Sequence, residues 1–226
     1  MQGKLFVIEG VDGSGKATQT ARLYDALVRA GHSAGRVEFP NYASPSSSLI
    51  KMYLNGDFGV QADDVNPFVA STFYAVDRFA TFRTQWEAFY QSGGILLADR
   101  YTTSNMIHQG SKIADPAAKA AYFEWLLDFE YGLFGLPKPD CVLFLDMPPA
   151  CSRTLRAARG TLKQDLVQDI HEADDAYLLA SYENALSVAQ AYGWHIIACA
   201  EDDGRVRTID AIAADVLAAV TPYLAK

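Results

Sequence analysis

A glycine-rich loop that directly follows an apolar run is the feature that most constrains this chain. The run Leu5–Ile8 predicts a buried strand, and the segment Gly10-Val11-Asp12-Gly13-Ser14-Gly15-Lys16 comes two residues later. Glycines let backbone N–H groups surround a phosphate, and Lys16 adds a mobile positive charge. The pattern predicts binding of a nucleoside triphosphate. The next position, where Ser or Thr usually holds magnesium, is Ala17.

Short apolar segments alternate with helical ones along the chain, which is typical of a parallel sheet covered on both faces. Strands are expected at Leu5–Glu9, Ser33–Phe39, Ile95–Ala98, Cys141–Leu145 and Trp194–Cys199. Helices are expected at Gly15–Ala30, Leu49–Leu54, Asp63 to about Tyr90, Pro116–Phe134, Cys151–Arg159, Ile170–Tyr192 and Arg207–Leu224. Ligands of such sheets bind beyond the carboxyl ends of the strands. The phosphate loop lies at one of these ends, so we expect the site there.

The formal net charge of −8 argues against a protein that coats nucleic acid, yet a few converging arginines would still make a phosphate site. The three cysteines form no CxxC pair, which favours thiols in a reducing cytosol over a disulfide or a zinc site. Neither a signal peptide nor an apolar run of membrane-spanning length is expected. The chain is therefore interpreted as cytoplasmic, with neither a membrane nor a nucleic acid as its partner.

Charged residues lie in the loop and at the next strand end. Asp12 would be costly among phosphate-binding amides unless it meets another partner, such as a sugar hydroxyl; alternatively it only rigidifies the loop. Asp99 follows a buried strand and suits magnesium, directly or through water. Arg100 suits a bidentate grip on phosphate. Taken alone, the pair Asp99-Arg100 is more often a structural salt bridge.

Two further clusters have both a functional and a structural interpretation. Tyr74 and Arg78 share one helix face, which would suit a base and its phosphate, but the ring also fits a core and the guanidinium a nearby acid. Arg153, Arg156 and Arg159 recur at i, i+3 and i+6, either as a solvated helix face or as a mobile flap that neutralises a moving phosphoryl group.

The chain resembles thymidylate kinases over nearly its whole length. The motifs that carry the resemblance are the phosphate loop with Thr18-Gln19, Phe39-Pro40-Asn41-Tyr42, Asp77-Arg78, Asp99-Arg100-Tyr101 through Ser104, and Pro139-Asp140 leading to Leu145-Asp146. The variant looks like those of Firmicutes-type bacteria. The resemblance implies one three-layer P-loop NTPase domain over residues 1–226, with a parallel five-stranded sheet and a lid at about 151–168. It also implies transfer of the ATP γ-phosphate to dTMP. The alternatives are another deoxynucleotide or deoxynucleoside acceptor, or a degenerate paralogue that only binds ATP.

The resemblance also implies roles for individual residues. ATP would bind at Gly10, Asp12, Gly13, Ser14, Gly15, Lys16, Ala17 and Thr18. The acceptor nucleotide would bind at Asp12, Phe39, Pro40, Tyr42, Tyr74, Arg78, Arg100, Ser104, Asn105, His108 and Gln109. Catalysis would need Lys16, Arg100, Asp99 with Mg²⁺, and an arginine of the lid, because Gly13 leaves none in the loop. A homodimer packed through the helix around Asp77 is expected.

Three departures from the family pattern stand out. Ala17 removes a hydroxyl ligand of magnesium. His108 replaces a tyrosine near the sugar, which bears on discrimination against ribose. The lid carries Gly160-Thr161-Leu162-Lys163 in place of an Asp-Arg pair, so the identity of the catalytic arginine stays open.

Overall fold

The protein is described from a computed structural model, which covers residues 2–160 and 175–224, without the side chains at positions 62, 156–160 and 175. The sheet is parallel and five-stranded. Its strands are β1 (Lys4–Glu9), β2 (Ala34–Glu38), β3 (Ile95–Asp99), β4 (Cys141–Asp146) and β5 (His195–Ala198), in the spatial order β2-β3-β1-β4-β5. All five predicted strands are present, and the α/β fold with a parallel five-stranded sheet is confirmed.

Helices connect the strands. They are α1 (Lys16–Arg29), α2 (Ser48–Leu54), α3 (Pro67–Thr81), α4 (Glu87–Gln91), α5 (Thr102–His108), α6 (Pro116–Leu127), α7 (Pro149–Gly160), α8 (Asp175–Ala191) and α9 (Ile209–Leu224). One face of the sheet packs on α1 and α9, where Leu27, Val216 and Val220 are fully buried. Against part of the other face lies an aromatic layer that includes Phe82, Trp86 and Tyr90.

The long helix expected from Asp63 begins later than predicted. Residues Ala62–Asp64 form a separate 3₁₀ turn, and Asn66 caps α3 by accepting a hydrogen bond from the Phe68 N–H. The helical run then continues to Gln91 through a π-helical segment at Phe82–Trp86. The expected helix Pro116–Phe134 likewise ends in a π-helical segment, Asp128–Leu133.

The sequence pattern did not predict α5, which directly follows β3. Its residues from Thr102 to Ile107 are all buried, although the first four are polar, so the helix has no solvent-exposed face and no amphipathic period to detect. The helix expected from Ile170 is observed from Asp175 onward, and residues 161–174 lie outside the described part of the chain. Every helix in the described residues is too short or too polar to span a bilayer.

The strand register brings the chemistry-bearing residues to one edge of the sheet. Ile8 pairs with Asp99 across β1 and β3, and Glu38 pairs with Asp99 across β2 and β3. The loop after β1, the segment after β2 and the segment after β3 therefore begin side by side. This arrangement confirms the expectation that Asp99 lies beside the phosphate loop.

Candidate functional site

The phosphate loop is a tight turn between β1 and α1. Gly15 precedes α1 with a φ of 92°, a left-handed conformation that favours glycine. The Lys16 ammonium is buried and donates to the carbonyls of Gly10 and Val11, at 2.9 and 3.1 Å. Burial, with the neighbouring guanidinium of Arg100, lowers the pKa of Lys16. The ammonium is thus folded onto its own loop, at the N-terminus of a helix whose dipole favours anions.

Asp12, the carboxylate inside this loop, is bound by Arg100. The Arg100 Nη2 lies 2.5 Å from Asp12 Oδ1, and the ammonium of Lys16 lies 3.7 Å from the same oxygen. Partial burial raises the pKa of Asp12, but Arg100 and Lys16 outweigh it and hold that pKa well below the ordinary range. Two cations therefore offset the cost of a carboxylate in an anion-binding loop. The sequence did not specify that Arg100 would be one of them.

Arg100 is held from three sides. Besides Asp12, its guanidinium contacts Nε2 of His108 at 3.0 Å and the Ser104 hydroxyl at 3.5 Å. Its backbone has a φ of 68°, which is a strained conformation for a side chain other than glycine. Because a guanidinium has no acceptor, Nε2 of His108 accepts this hydrogen bond, so the ring proton lies on Nδ1. These three contacts fix the orientation of the Arg100 guanidinium at the carboxyl edge of the sheet.

Glu9, at the end of β1, anchors the segment that follows Arg100. Its carboxylate accepts hydrogen bonds from the Tyr101 backbone N–H at 3.1 Å, from the Thr103 hydroxyl at 2.6 Å and from the Ser104 hydroxyl at 2.8 Å. The side chain is fully buried, and burial raises its pKa even though Arg100 and these donors oppose the shift. A carboxylate so placed fixes the start of α5 against β1.

A cavity of about 350 Å³ opens beside the loop. It brings together all eleven residues assigned to the acceptor nucleotide, namely Asp12, Phe39, Pro40, Tyr42, Tyr74, Arg78, Arg100, Ser104, Asn105, His108 and Gln109. Lys16 and Asp99 line it as well. Within it, the Oε1 atom of Gln109 is buried and has no hydrogen-bond partner among the described residues. A polar ligand would satisfy that acceptor.

The aromatic end of the cavity is built by the segment after β2 and by α3. Asp77 is buried and accepts hydrogen bonds from the Asn41 backbone N–H at 2.7 Å and from the Ser46 hydroxyl at 2.6 Å. It thereby holds the loop that carries Phe39 and Pro40. Tyr74, one turn earlier on α3, packs edge-on against Tyr53. Within the pair Asp77-Arg78, Asp77 therefore stabilises the loop after β2 and does not line the cavity.

Arg78 is the most deeply buried charge of the cavity wall, with 1% of its surface exposed. Its Nε and Nη2 each lie 2.6 Å from one oxygen of Glu130, and its Nη1 lies 3.3 Å from the Tyr101 carbonyl. Burial lowers the pKa of Arg78, but the charge and hydrogen bonds of Glu130 outweigh that effect and raise it. The structure thus shows the pairing with an acid that one interpretation of the sequence gave, and it places the guanidinium in the lining of the cavity.

A second cavity, of about 320 Å³, also has Asp12 in its lining and lies between the phosphate loop and the helices α7 and α8. Arg153 lines it together with Val11, Ser152 and Tyr182. The side chains of Arg156 and Arg159 lie outside the described residues, although their backbone belongs to α7. The two cavities therefore share Asp12 and Leu178, and at least one arginine of the α7 stripe lines the second.

The residues present fit a magnesium ion that is bound mainly through phosphates. No cluster of three or more His, Cys, Asp or Glu side chains that could hold a metal occurs among the described residues. Asp99 offers one carboxylate at the rim of the cavity, whereas Ala17 is exposed and offers no ligand. Magnesium commonly binds through one or two carboxylates, several waters and substrate phosphates, so this donor set suits it.

Sequence reasoning missed several residues of the site. Glu38, Leu54, Tyr177 and Leu178 complete the lining of the first cavity. Tyr177 and Leu178 come from α8, far along the chain, and nothing in their local pattern indicates a site. Glu9 had a signal, since an acid at the end of an otherwise apolar strand is unusual. Glu130, which stands between Phe129 and Tyr131, had none beyond its charge.

Comparisons with known proteins point to one family and one fold. A sequence model of the family described as thymidylate kinase matches residues 8–206. The thymidylate kinase of Mycobacterium tuberculosis is 29% identical over 207 residues, which is 89% of this chain and 94% of that protein. The human thymidylate kinase is 32% identical over 146 residues, which is 65% of this chain and 62% of that protein. The solved structure of thymidylate kinase from Candida albicans, 20% identical, covers 98% of this chain and 92% of its own with a TM-score of 0.70, and supports the fold.

Proposed function

The chain belongs to the thymidylate kinase family, and we propose that it transfers the γ-phosphoryl group of ATP to the 5′-phosphate of dTMP, which yields dTDP and ADP. The observation that carries this proposal is the pair of cavities that share Asp12 in their lining. ATP would extend its phosphates over the loop amides and Lys16, beside the second cavity. The acceptor nucleotide would occupy the first cavity, and the two phosphates would meet at the loop.

The chain's own groups would position and neutralise the reacting phosphates, with no covalent intermediate. Lys16 would exchange the carbonyls of Gly10 and Val11 for phosphate oxygens, since an anion is the stronger acceptor for an ammonium. Arg100 would bridge the phosphates from its fixed position. Asp12, partly buried and ionised, would accept a hydrogen bond from the 3′-hydroxyl of the deoxyribose.

The first cavity suits a pyrimidine with a keto group. Tyr74 and Phe39 offer aromatic surface for the ring, and Asn105 offers an amide to the base edge. The resemblance assigned Arg78 to the monophosphate of the acceptor. We place it at the base instead, where it keeps N–H donors beyond the three that bind Glu130 and Tyr101. Those donors favour a carbonyl acceptor, so a 4-oxo base such as thymine fits better than a 4-amino base such as cytosine.

Magnesium is the metal of the proposed reaction. Asp99 would hold it, directly or through water, and the ion would add positive charge where the phosphoryl group moves. The carboxylate lies at the same sheet edge as the phosphate loop, because Asp99 pairs with Ile8 in register. Since Ala17 brings no hydroxyl, water and phosphate oxygens would complete the coordination shell.

The catalytic arginine of the proposed reaction would belong to the lid expected at about residues 151–168 of one kinase domain, of which residues 161–168 lie outside the described part of the chain. Gly13 provides no side chain in the loop, and Arg153 lines the second cavity next to Asp12. Arg156 and Arg159 remain candidates from the sequence pattern. This arrangement is the Firmicutes-like variant that the motifs resemble.

Assembly and location are further parts of the proposal. The helix α3 exposes Val69, Val76 and Phe79, each with more than a third of its surface accessible. Apolar groups that recur along one helix suit an interface between two copies of the chain, so we expect a homodimer packed through α3. The three cysteines are unpaired thiols, which is consistent with a reducing cytoplasm.

A coupled assay of ADP release tests the proposed function. The acceptors are dTMP, dUMP, dCMP, dAMP, TMP as the ribonucleotide, and deoxythymidine. We expect dTMP to give the highest kcat/KM, and ³¹P NMR of the product to identify a diphosphate. Faster turnover with another acceptor would move the assignment to that nucleotide, and no turnover with any acceptor would contradict kinase activity.

A further inference from the structure

Glu130 stands out among the buried acids of the described residues. It is fully buried, it lies in the π-helical segment Asp128–Leu133, and it belongs to none of the motifs that indicated the site. In a π-helical turn the backbone bonds skip one residue further than in an α-helix, and such turns often occur at functional sites. Just beyond this segment, the Leu136 N–H donates to the Glu130 carbonyl at 3.0 Å. The local backbone thus turns a carboxylate inward, toward the wall of the nucleotide cavity.

Both oxygens of Glu130 are committed to the cavity wall. Oε1 accepts a hydrogen bond from Nη2 of Arg78 at 2.6 Å, and Oε2 accepts one from Nε of Arg78 at the same distance. Oε2 also accepts the hydroxyl of Thr102 at 2.7 Å. This bidentate geometry fixes the plane of the guanidinium, not only its charge. Three of the five N–H bonds of Arg78 have partners among the described residues, including the bond to the Tyr101 carbonyl.

Two contacts connect the Arg78–Glu130 pair to the segment that carries Arg100: the Tyr101 carbonyl accepts from Arg78, and the Thr102 hydroxyl donates to Glu130. Tyr101 and Thr102 follow Arg100 directly, and the ring of Tyr131 stacks near that of Tyr101, with centroids 6.4 Å apart. Glu130 therefore connects Arg78, which we place at the base, to the segment after Arg100, which we place at the phosphates. A free arginine side chain loses considerable rotamer entropy when a ligand orders it. Orientation by Glu130 removes that cost in advance.

We infer that Glu130 is a positioning residue that preorganises Arg78, through a buried bidentate pair, to receive the base of the acceptor nucleotide. The inference rests on the proposed function, because it assigns the base to the cavity that Arg78 lines. Glu130 touches no substrate in this scheme. Its effect falls on binding of the acceptor in the ground state and the transition state alike, so KM should respond and kcat should not.

Replacement of Glu130 by Gln tests the inference. Gln keeps the shape but lacks the charge and can accept only one of the two Arg78 bonds without a clash of donors. We expect the KM for dTMP to rise about tenfold or more, with kcat and the KM for ATP within about threefold of wild type. The preference for dTMP over dCMP in kcat/KM should fall, since a loosened guanidinium no longer enforces a carbonyl acceptor. A folded Glu130→Gln protein with an unchanged KM and unchanged preference would overturn the inference.

Two further variants separate positioning from stability. Glu124→Gln is the matched control, because Glu124 is exposed on α6, and all constants should stay at the wild-type values. Thr102→Val removes one hydrogen bond to Glu130 and leaves the ion pair, so a smaller rise in KM for dTMP is expected. If Glu130→Gln does not fold, Glu130→Asp takes its place, since the shorter carboxylate cannot span both Arg78 nitrogens and should raise KM in the same direction.

Calorimetric titration of dTMP without ATP completes the test. We expect Glu130→Gln to weaken dTMP binding by the factor seen in KM, while wild type and Glu124→Gln bind alike. Wild-type protein that neither binds dTMP nor turns it over would contradict the proposed function itself. Wild-type activity with normal dTMP binding by folded Glu130→Gln would contradict only the role of Glu130.

Discussion

The guanidinium of Arg100 lies 2.5 Å from the carboxylate of Asp12, across 88 positions of the chain. The pair joins the phosphate loop after β1 to the segment after β3. It keeps both side chains charged, since the pKa of Asp12 is lowered and that of Arg100 raised, each by the other against burial. A nucleotide that enters the cavity meets these two charges already in position.

Replacement of Lys16 by Ala should abolish most of the turnover. The Lys16 ammonium donates hydrogen bonds to two neutral carbonyls, and the Asp12 carboxylate lies at the longer distance of 3.7 Å. It can therefore exchange the carbonyls for phosphate oxygens. Loss of such a group should lower kcat by about 10²- to 10³-fold. Steady-state kinetics at saturating ATP would measure the loss. Lys4→Ala, at the opposite end of β1, should turn over normally.

Asp12→Asn should change how stability depends on pH. The folded pKa of Asp12 lies below its ordinary value near 3.8, so the ionised group stabilises the fold above that pH. This contribution is lost as the pH falls from about 3.8 toward the folded pKa. Thermal denaturation should therefore show wild type more stable than Asp12→Asn by a constant margin from about pH 5 upward, and a narrowing margin below about pH 4. A margin that grows toward acid pH would contradict the ion pair. Asp57→Asn, an exposed substitution, is the control.

Ala17→Ser should lower the magnesium requirement. The exposed position directly follows Lys16 in the first turn of α1, where a hydroxyl would point toward the phosphates. We expect the magnesium concentration for half-maximal activity to fall several-fold, with kcat equal or higher. Titration of activity with Mg²⁺ at fixed ATP measures this. Ala21→Ser, one turn later on α1, should leave the midpoint unchanged; an equal shift there would point to a general effect of the added hydroxyl.

Arg153→Ala should lower kcat more than it raises either KM. Arg153 lines the second cavity beside Asp12, so it is placed to neutralise charge on the moving phosphoryl group. A loss of about 10²-fold is expected from the removal of one such donor. Arg156→Ala and Arg159→Ala are measured in parallel. Full turnover of Arg153→Ala with a large loss in either of the others would assign the catalytic role elsewhere on α7.

Local patterns were sufficient for most of the fold. Apolar runs predicted the five strands, and the loop at Gly10–Lys16 predicted the phosphate site because its glycines and lysine act through neighbouring backbone. The same patterns failed for α5, whose residues are buried on every side, and for the start of α3, where Asn66 and Pro67 outweigh the acidic turn before them. Amphipathic periods report a boundary between core and solvent, so a helix without that boundary gives no signal.

The sequence by itself determined the chemistry that is available: a phosphate loop, a carboxylate and an arginine at the next strand end, and a stripe of three arginines. Only the tertiary structure decided which of these groups are paired. Arg100 with Asp12, Arg78 with Glu130 and Glu9 with the start of α5 are contacts between segments about 50 to 95 residues apart. The physical reason is that a buried charge needs a partner, and the partner is supplied by whichever segment the sheet brings alongside. Spacing along the chain carries no record of that proximity.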